Sequence, residues 1–501
     1  MKTRILPLIV AVGFASQFPV CSALAEQVTP TPRATLLPAT ATNRPFLGTG
    51  STLQALDLAK RGYVESEYLV RGLADTYDWA EPGARPAARA RSQPVPYTTR
   101  LLLRRPVNAK HFSGRVVVEL LSAAGGYDTA PLWGLSSEHF LRQGDVWVGL
   151  TVKPAAAETL RRFDRVRYAR LNFALKQAPD CRTEPANTEN GLAWDITAQV
   201  GALLRSSSKE NPLVDFDVQR LVAAGYAQAG GYIATYINAV HDELRLGNGA
   251  PVYDAYVDAA GALGSGPINS CSGPLPAGDP RRLVAPRDAP VVTLMTQSDV
   301  TRTLWMRRPD SDADGEVYRL YEIAGAPHGG PFGQGDPSLA DLKIAGIDPA
   351  DAAPVCAEPS SSFPVGLALN AIWMQLDDLL VRGLPMTQAP RVAVTAAGQL
   401  QLDALGNAQG GWRLPQLELP LAVYSGASTA RADSPQSQGR CALTGSMRRF
   451  DVARLRALYG SRANYLKQLG AAADVAVAAR GLEAADAVVI KAQAAKTAPT
   501  F

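Results

Sequence analysis

The chain has 501 residues, with 50 Lys and Arg against 46 Asp and Glu, a formal charge of +4. So small a surplus gives no support to nucleic-acid binding, which needs a concentrated basic face. Hydrophobic residues at 47% and charged residues at 19% describe a folded globular protein and exclude a disordered one.

The start, MKTRILPLIVAVGFASQFPVCSALAEQ, joins a basic end to an apolar run from Ile5 to Phe14 and the small-residue pattern Ala23-Leu24-Ala25. It predicts a secretory signal over residues 1–25, cleaved after Ala25, and an exported protein, secreted or periplasmic. The run is too short for an ordinary membrane span, and no later segment is long and apolar enough for one. Beyond the leader remain Cys181, Cys271, Cys356 and Cys441. An even number in an exported chain suits two disulfides, with three connectivities open and buried free thiols as the alternative. No Cys/His cluster suggests a metal.

Residues 26–60 read as an extended N-terminal segment, rich at first in Thr, Pro and Ala and without a core pattern. Strand alternation follows in Gly62–Leu73 and Tyr97–Arg104, with a surface loop, EPGARPAARARSQP, between them. Gly114–Leu121 (GRVVVELL) is a near-continuous β-branched run, as in a strand buried on both faces, and Asp145–Val152 is another. Leu192–Leu204 has helical spacing. Arg220–Gly225 then reads as a buried strand and Tyr226–Gly231 as a tight turn of small residues. Ile233, Tyr236, Ile237 and Val240 recur as one buried helical face. Tyr253–Ala259, Val291–Thr296 and Tyr318–Ile323 complete the strands. Strands alternating with helices predict an α/β fold with a mostly parallel, doubly wound sheet and its site at the carboxyl ends of the strands. Residues 61–330 form the expected core. Residues 331–501, with helical patterns in Pro364–Val381 and Phe450–Lys496, form an extension packed on it, a candidate lid.

Strand, sharp turn and helix around residue 227 make a nucleophile elbow, where G-x-S-x-G raises a serine hydroxyl above the sheet edge. The frame here is Gly225-Tyr226-Ala227-Gln228-Ala229-Gly230, with alanine in the serine position. A methyl group cannot attack a carbonyl. Triads of this kind run nucleophile, acid, base along the chain. Asp299 follows Val291–Thr296, and His328 lies in a Gly/Pro-rich loop after Tyr318–Ile323. They are the expected acid and base, with Ala227 at the nucleophile position. The N–H of Gln228, and one from Leu121 or Ser122 after GRVVVELL, are the expected oxyanion donors. His241 has an adequate explanation as a cation at a helix C-terminus. Trp133, Trp305 and Trp373 read as core rather than pocket.

GYAQAGGYIATYIN is similar to the G-x-S-Q-[S/T]-G-G-Y-L-x-T-Y-x-N elbow of the secreted α/β-hydrolase domain-containing proteins. The likeness extends through GLAWDI, INSCSGPLPAGDPR, VVTLMTQSDV, RRPDSDADGEVYRLYEIAGAPHGG and GNAQGGWRLPQLELPLAVYSG. The resemblance implies an α/β-hydrolase fold, no cofactor, and hydrolysis of a carboxylic ester or related acyl bond in a small or polymeric substrate. It places Ala227, Asp299 and His328 at the triad positions. Ala227 departs from the pattern, and three accounts fit it: an inactivated Ser→Ala variant, a natural pseudoenzyme that binds ligand on the hydrolase fold, or another nucleophile, Ser122 or Ser298. A purely structural protein would instead hold His328 and Asp299 apart.

Overall fold

The computed structural model describes residues 27–40, 43–80, 86–91, 93–261, 266–273, 275–276, 278–330, 332–348 and 355–501. The expected leader, residues 1–25, lies outside them. Runs of β-branched and aromatic residues become the strands of a nine-stranded sheet: β1 (Arg33–Leu37), β2 (Tyr63–Ala74), β3 (Val95–Pro106), β4 (Arg115–Leu120), β5 (Val146–Leu150), β6 (Arg220–Tyr226), β7 (Ala255–Ala259), β8 (Val291–Thr296) and β9 (Tyr318–Ile323). Across the sheet the order is β9-β8-β7-β6-β4-β5-β3-β2-β1. Neighbours from β9 to β5 run parallel, and the joins β5–β3, β3–β2 and β2–β1 are antiparallel. Strand β4 is buried at every position because helices cover both faces.

Helices α1 (Pro131–Gln143), α2 (Pro154–Phe163), α3 (Ala193–Arg205) and α4 (Gln228–Ala239) follow β4, β5 and β6. Proline at the first position of α1 and of α2 has no N–H to leave unpaired there. The start of α1 is fastened to the sheet by Glu119, whose carboxylate accepts Leu132 N at 2.8 Å and Trp133 N at 2.9 Å. Among the described residues, no helix is long and apolar enough to cross a membrane.

The N-terminal segment differs from expectation. Strand β1 extends the sheet, and Phe46 and Leu47 are fully buried. Buried arginines of β3 hold them through the backbone: Arg100 donates to Phe46 O, and Arg104 to Leu47 O at 2.8 Å. The stretch expected to be plain loop after residue 80 also contains a short strand, Ala88–Ala90, paired with Tyr77–Trp79.

Helix α5 (Val365–Arg382) packs on α1, where Trp373 lies 5.5 Å from Phe140 between ring centroids. Helices α6 (Arg462–Ala478) and α7 (Ala484–Thr497) pair with each other. Glu483, which begins α7, bonds His139 Nδ1 at 2.9 Å, and His139 in turn touches Arg115 at the start of β4. That anchor lies at the end of the sheet opposite the elbow. The disulfides are Cys181–Cys271 and Cys356–Cys441.

Candidate active site

The turn from β6 into α4 is forced by close backbone approach. A Cβ at Gly225 would collide with the Ala229 carbonyl, and one at Gly230 would lie 2.7 Å from Asp258 Oδ1 and 2.8 Å from Ala259 O. Between them Ala227 adopts φ 53° and ψ −119°, a strained conformation for a residue with a side chain. Ala227 N donates to Ala259 O at 2.9 Å, and Ala227 O accepts Gly231 N at 3.2 Å, so the turn is pinned on both sides. The Ala227 methyl faces a cavity of about 550 Å3, lined by apolar residues including Leu53, Tyr127, Phe332, Leu342 and Leu443, with His328 in its wall.

Asp299 is fully buried in the one-turn helix Gln297–Val300 after β8. Its Oδ2 accepts Thr296 N at 2.9 Å and Thr296 Oγ1 at 2.7 Å, and its Oδ1 lies 2.8 Å from His328 Nδ1. A helix cap and a histidine partner are thus one carboxylate. The separation that a purely structural protein predicts for this pair is not found. The His328 loop is fixed by its backbone: His328 N donates to Ser298 Oγ at 2.8 Å, and His328 O accepts Tyr226 Oη at 2.7 Å. Ser298 donates its own hydroxyl proton to Gly426 O, so its place is in the support of this loop. Ser122 lies in the cavity wall at 4% exposure.

Gln228 N opens α4 beside Ala227. Leu121 and Ser122 require a correction. Leu121 N donates to Leu150 O at 3.0 Å and Ser122 N to Thr129 O at 3.0 Å, because the chain continues strand-like pairing past β4. The N–H that meets the elbow is the next one, Ala123 N, which donates to the Gln228 side-chain Oε1 at 3.3 Å.

A family model described as an alpha/beta hydrolase domain matches residues 29–492. The chain belongs to that family. No curated protein matches this chain. Solved structures similar to it include esterase 2 of Thermogutta terrifontis phosphonylated by cyclosarin (15% identity, 50% of this chain and 86% of that one, TM-score 0.29). A poly(3-hydroxybutyrate) depolymerase from Bordetella parapertussis is also similar (14%, 50% and 84%, TM-score 0.26), as is a thermostable esterase from Pseudomonas putida ECU1011 (12%, 63% and 85%, TM-score 0.29).

Part of the cavity wall comes from beyond residue 355: Ser360, Arg440, Leu443 and Thr444, on segments joined by Cys356–Cys441. No residue of α6 or α7 lines it among the described residues. Asp336 was not anticipated. It lines the cavity, and burial pushes its carboxyl up to about 6 against the hydrogen bonds it accepts from Phe332 N and Gly333 N. A lone aspartate before proline carries no sequence signal for such a place.

The remaining residues fall outside the site. His241 lies just past α4, with Nε2 2.6 Å from Asp288 and Nδ1 2.8 Å from Tyr256 Oη; burial lowers its pKa. His241, Asp242 and Asp288 have metal-like spacing, yet Arg245 and Arg287 already sit against the two carboxylates. Trp133 and Trp373 are fully buried, and Trp305 lies under the Arg282 guanidinium, so none of the three lines the cavity.

Proposed function

We propose that the chain is an exported carboxylic ester hydrolase in nucleophile-less form: it binds its ester in the Ala227 cavity and barely turns it over. The observation that carries this is the His328 Nδ1–Asp299 bond of 2.8 Å beside a strained elbow whose side chain is a methyl. A pocket that only bound ligand has no need for a buried carboxylate fixing one histidine tautomer.

In the serine form, Oγ at position 227 attacks the acyl carbonyl while His328 takes its proton through Nε2 and later returns one to the leaving alcohol. Asp299 holds the tautomer and stabilises the imidazolium. The oxyanion is received by Gln228 N and, in place of the Gln228 side-chain oxygen that occupies it, Ala123 N. No step calls for a cofactor. Two disulfides agree with export, and the cavity suits a small ester or one branch of a polymeric one. Removing a triad serine lowers turnover by about a millionfold while binding survives.

The test is Ala227→Ser, assayed beside the unaltered chain with p-nitrophenyl butyrate and a fluorophosphonate probe. Turnover and labelling by the serine form alone support the reading. If a folded serine form does neither, or if the alanine chain turns over normally, the reading fails. The first of these outcomes leaves the ligand-binding alternative, favoured only by Ala227 itself; the second points to another nucleophile.

A further inference from the structure

Among the described residues, Asp336 is the carboxylate that lines the Ala227 cavity, and the triad chemistry does not use it. It closes the short turn Gly333–Gly335, on the segment that runs on from His328. That segment is clamped on both sides. Gly335 O accepts Ala130 N at 2.8 Å, Asp336 O accepts Leu53 N at 2.9 Å, and Thr52 bridges Pro337. A Cβ at Gly335 would collide with the Ala130 carbonyl, and one at Gly134 with the Phe332 carbonyl. Backbone packing therefore fixes the carboxylate in the wall, where its Oδ2 accepts Phe332 N at 2.6 Å.

A turn cap accounts for that bond, as at any surface turn, and leaves the setting unexplained. Asp336 faces a cavity that is mostly apolar, and burial pushes its carboxyl up to about 6. It is ionised above neutral pH, yet the charge is met only by the N–H groups of Phe332 and Gly333, and no cation pairs with it among the described residues. Arg440, in the same lining, already has a partner. Aromatic rings share the wall. Phe332 meets Tyr226 edge to face at 5.4 Å between centroids. Burial and then the Asp336 charge raise the pKa of the Tyr127 phenol, which puts that ring within electrostatic reach of the carboxylate. Rings and a carboxylate around an apolar space suit a cationic nitrogen, whose charge meets the carboxylate and the ring faces while its alkyl groups meet Leu53 and Leu342. His328 protonates the leaving alcohol, and Gly329, Gly330, Phe332 and Asp336 continue the wall from it. The alcohol part of an ester is thus the part that meets Asp336.

We propose that Asp336 is a specificity-determining residue that receives a cationic nitrogen carried by the alcohol part of the ester. The cation supplies the countercharge that the fold withholds, and an uncharged alcohol leaves the carboxylate unmatched. This rests on the ester-hydrolase reading of the Ala227 cavity.

The experiment uses the full chain with Ala227→Ser at about pH 8, where the carboxyl is ionised. It compares kcat/KM for butyrylcholine with that for 3,3-dimethylbutyl butyrate, its uncharged isostere, each divided by the uncatalysed rate and read as acid release. The expected ratio of charged to uncharged ester exceeds one. It falls about tenfold or more with Asp336→Asn or Asp336→Ser, both of which keep an oxygen for the backbone N–H groups. A ratio of one or less, or a ratio unmoved by either variant that melts with its parent, overturns the proposal. Calorimetric titration of the unaltered Ala227 chain with butyrylcholine reads the same contact without turnover. Binding weakened about tenfold by Asp336→Asn supports it, and equal binding overturns it. A serine form that neither hydrolyses nor labels, combined with binding that Asp336→Asn weakens, sinks the hydrolase reading and upholds Asp336 as the cation contact. Hydrolysis with an unmoved ratio sinks Asp336 alone.

Discussion

Replacing Ala227 by glycine should stabilise this protein, although the same change at a helical alanine destabilises it. Ala227 is held at φ 53° and ψ −119°, a region costing a residue with a Cβ about 1–3 kcal/mol. Glycine removes that strain. Against it stand about 0.5–1 kcal/mol for the greater freedom of glycine in the unfolded chain and roughly 0.5 kcal/mol for a half-buried methyl. The balance is a gain of about 1 kcal/mol. Ala471, exposed in α6, is the control: with ordinary helical geometry, Ala471→Gly should lose about 1 kcal/mol. Urea unfolding with the disulfides intact, analysed with a common slope, reads the two as midpoint shifts of opposite sign. If Ala227→Gly lowers the midpoint as Ala471→Gly does, the elbow stores no strain and the reasoning from its backbone is wrong.

Two further outcomes follow from the buried carboxylates. In the Ala227→Ser form, Asp299→Asn should lower kcat about 10,000-fold with the fold intact, since an amide no longer fixes the His328 tautomer; a drop under tenfold would show that Asp299 is only the cap of its helix. Asp258, in β7 between the elbow strand and the Asp299 strand, is pushed up to about 8 by burial. Its folded value lies above the unfolded value of about 3.9, so the unfolded chain loses the proton first and stability falls as pH rises from about 4 to 8. Asp258→Asn should flatten that limb of the urea-midpoint profile against pH, and an unchanged slope would refute the assignment.

The elements read from the sequence were those whose signal is local. Arg220–Tyr226 and the helix behind it announce themselves by a buried run, small residues and a 3.6-residue period; the strand ends one residue beyond the reading, and the helix begins at Gln228, inside the stretch that reads as a turn. Helix α1 was missed because PLWGLSSEHFLRQ buries Ser136, Ser137 and His139 along with its apolar residues, which erases the contrast that periodicity needs. Phe46 and Leu47 gave no warning, since arginines from β3 hold them by their carbonyls and a backbone contact leaves no trace in side-chain pattern. The N–H after β4 that meets the elbow reads one or two residues early because Leu121 and Ser122 keep pairing beyond the strand. Within the site, Asp299 and His328 were legible from chain order alone. Asp336 was not, because what distinguishes it is burial, and burial is a property of the whole fold.

The wall formed by Leu443 does more than bound the cavity. Leu443 O accepts Gly329 N at 2.8 Å, and Gly426 O takes the hydroxyl of the same Ser298 that holds His328 N. Cys441, two residues before Leu443, is bonded to Cys356. Roof and histidine loop therefore share one set of fastenings, and lifting the roof to admit a ligand would pull on the base it is meant to serve. A reductant that cut the tether would loosen the cavity wall and the histidine loop together.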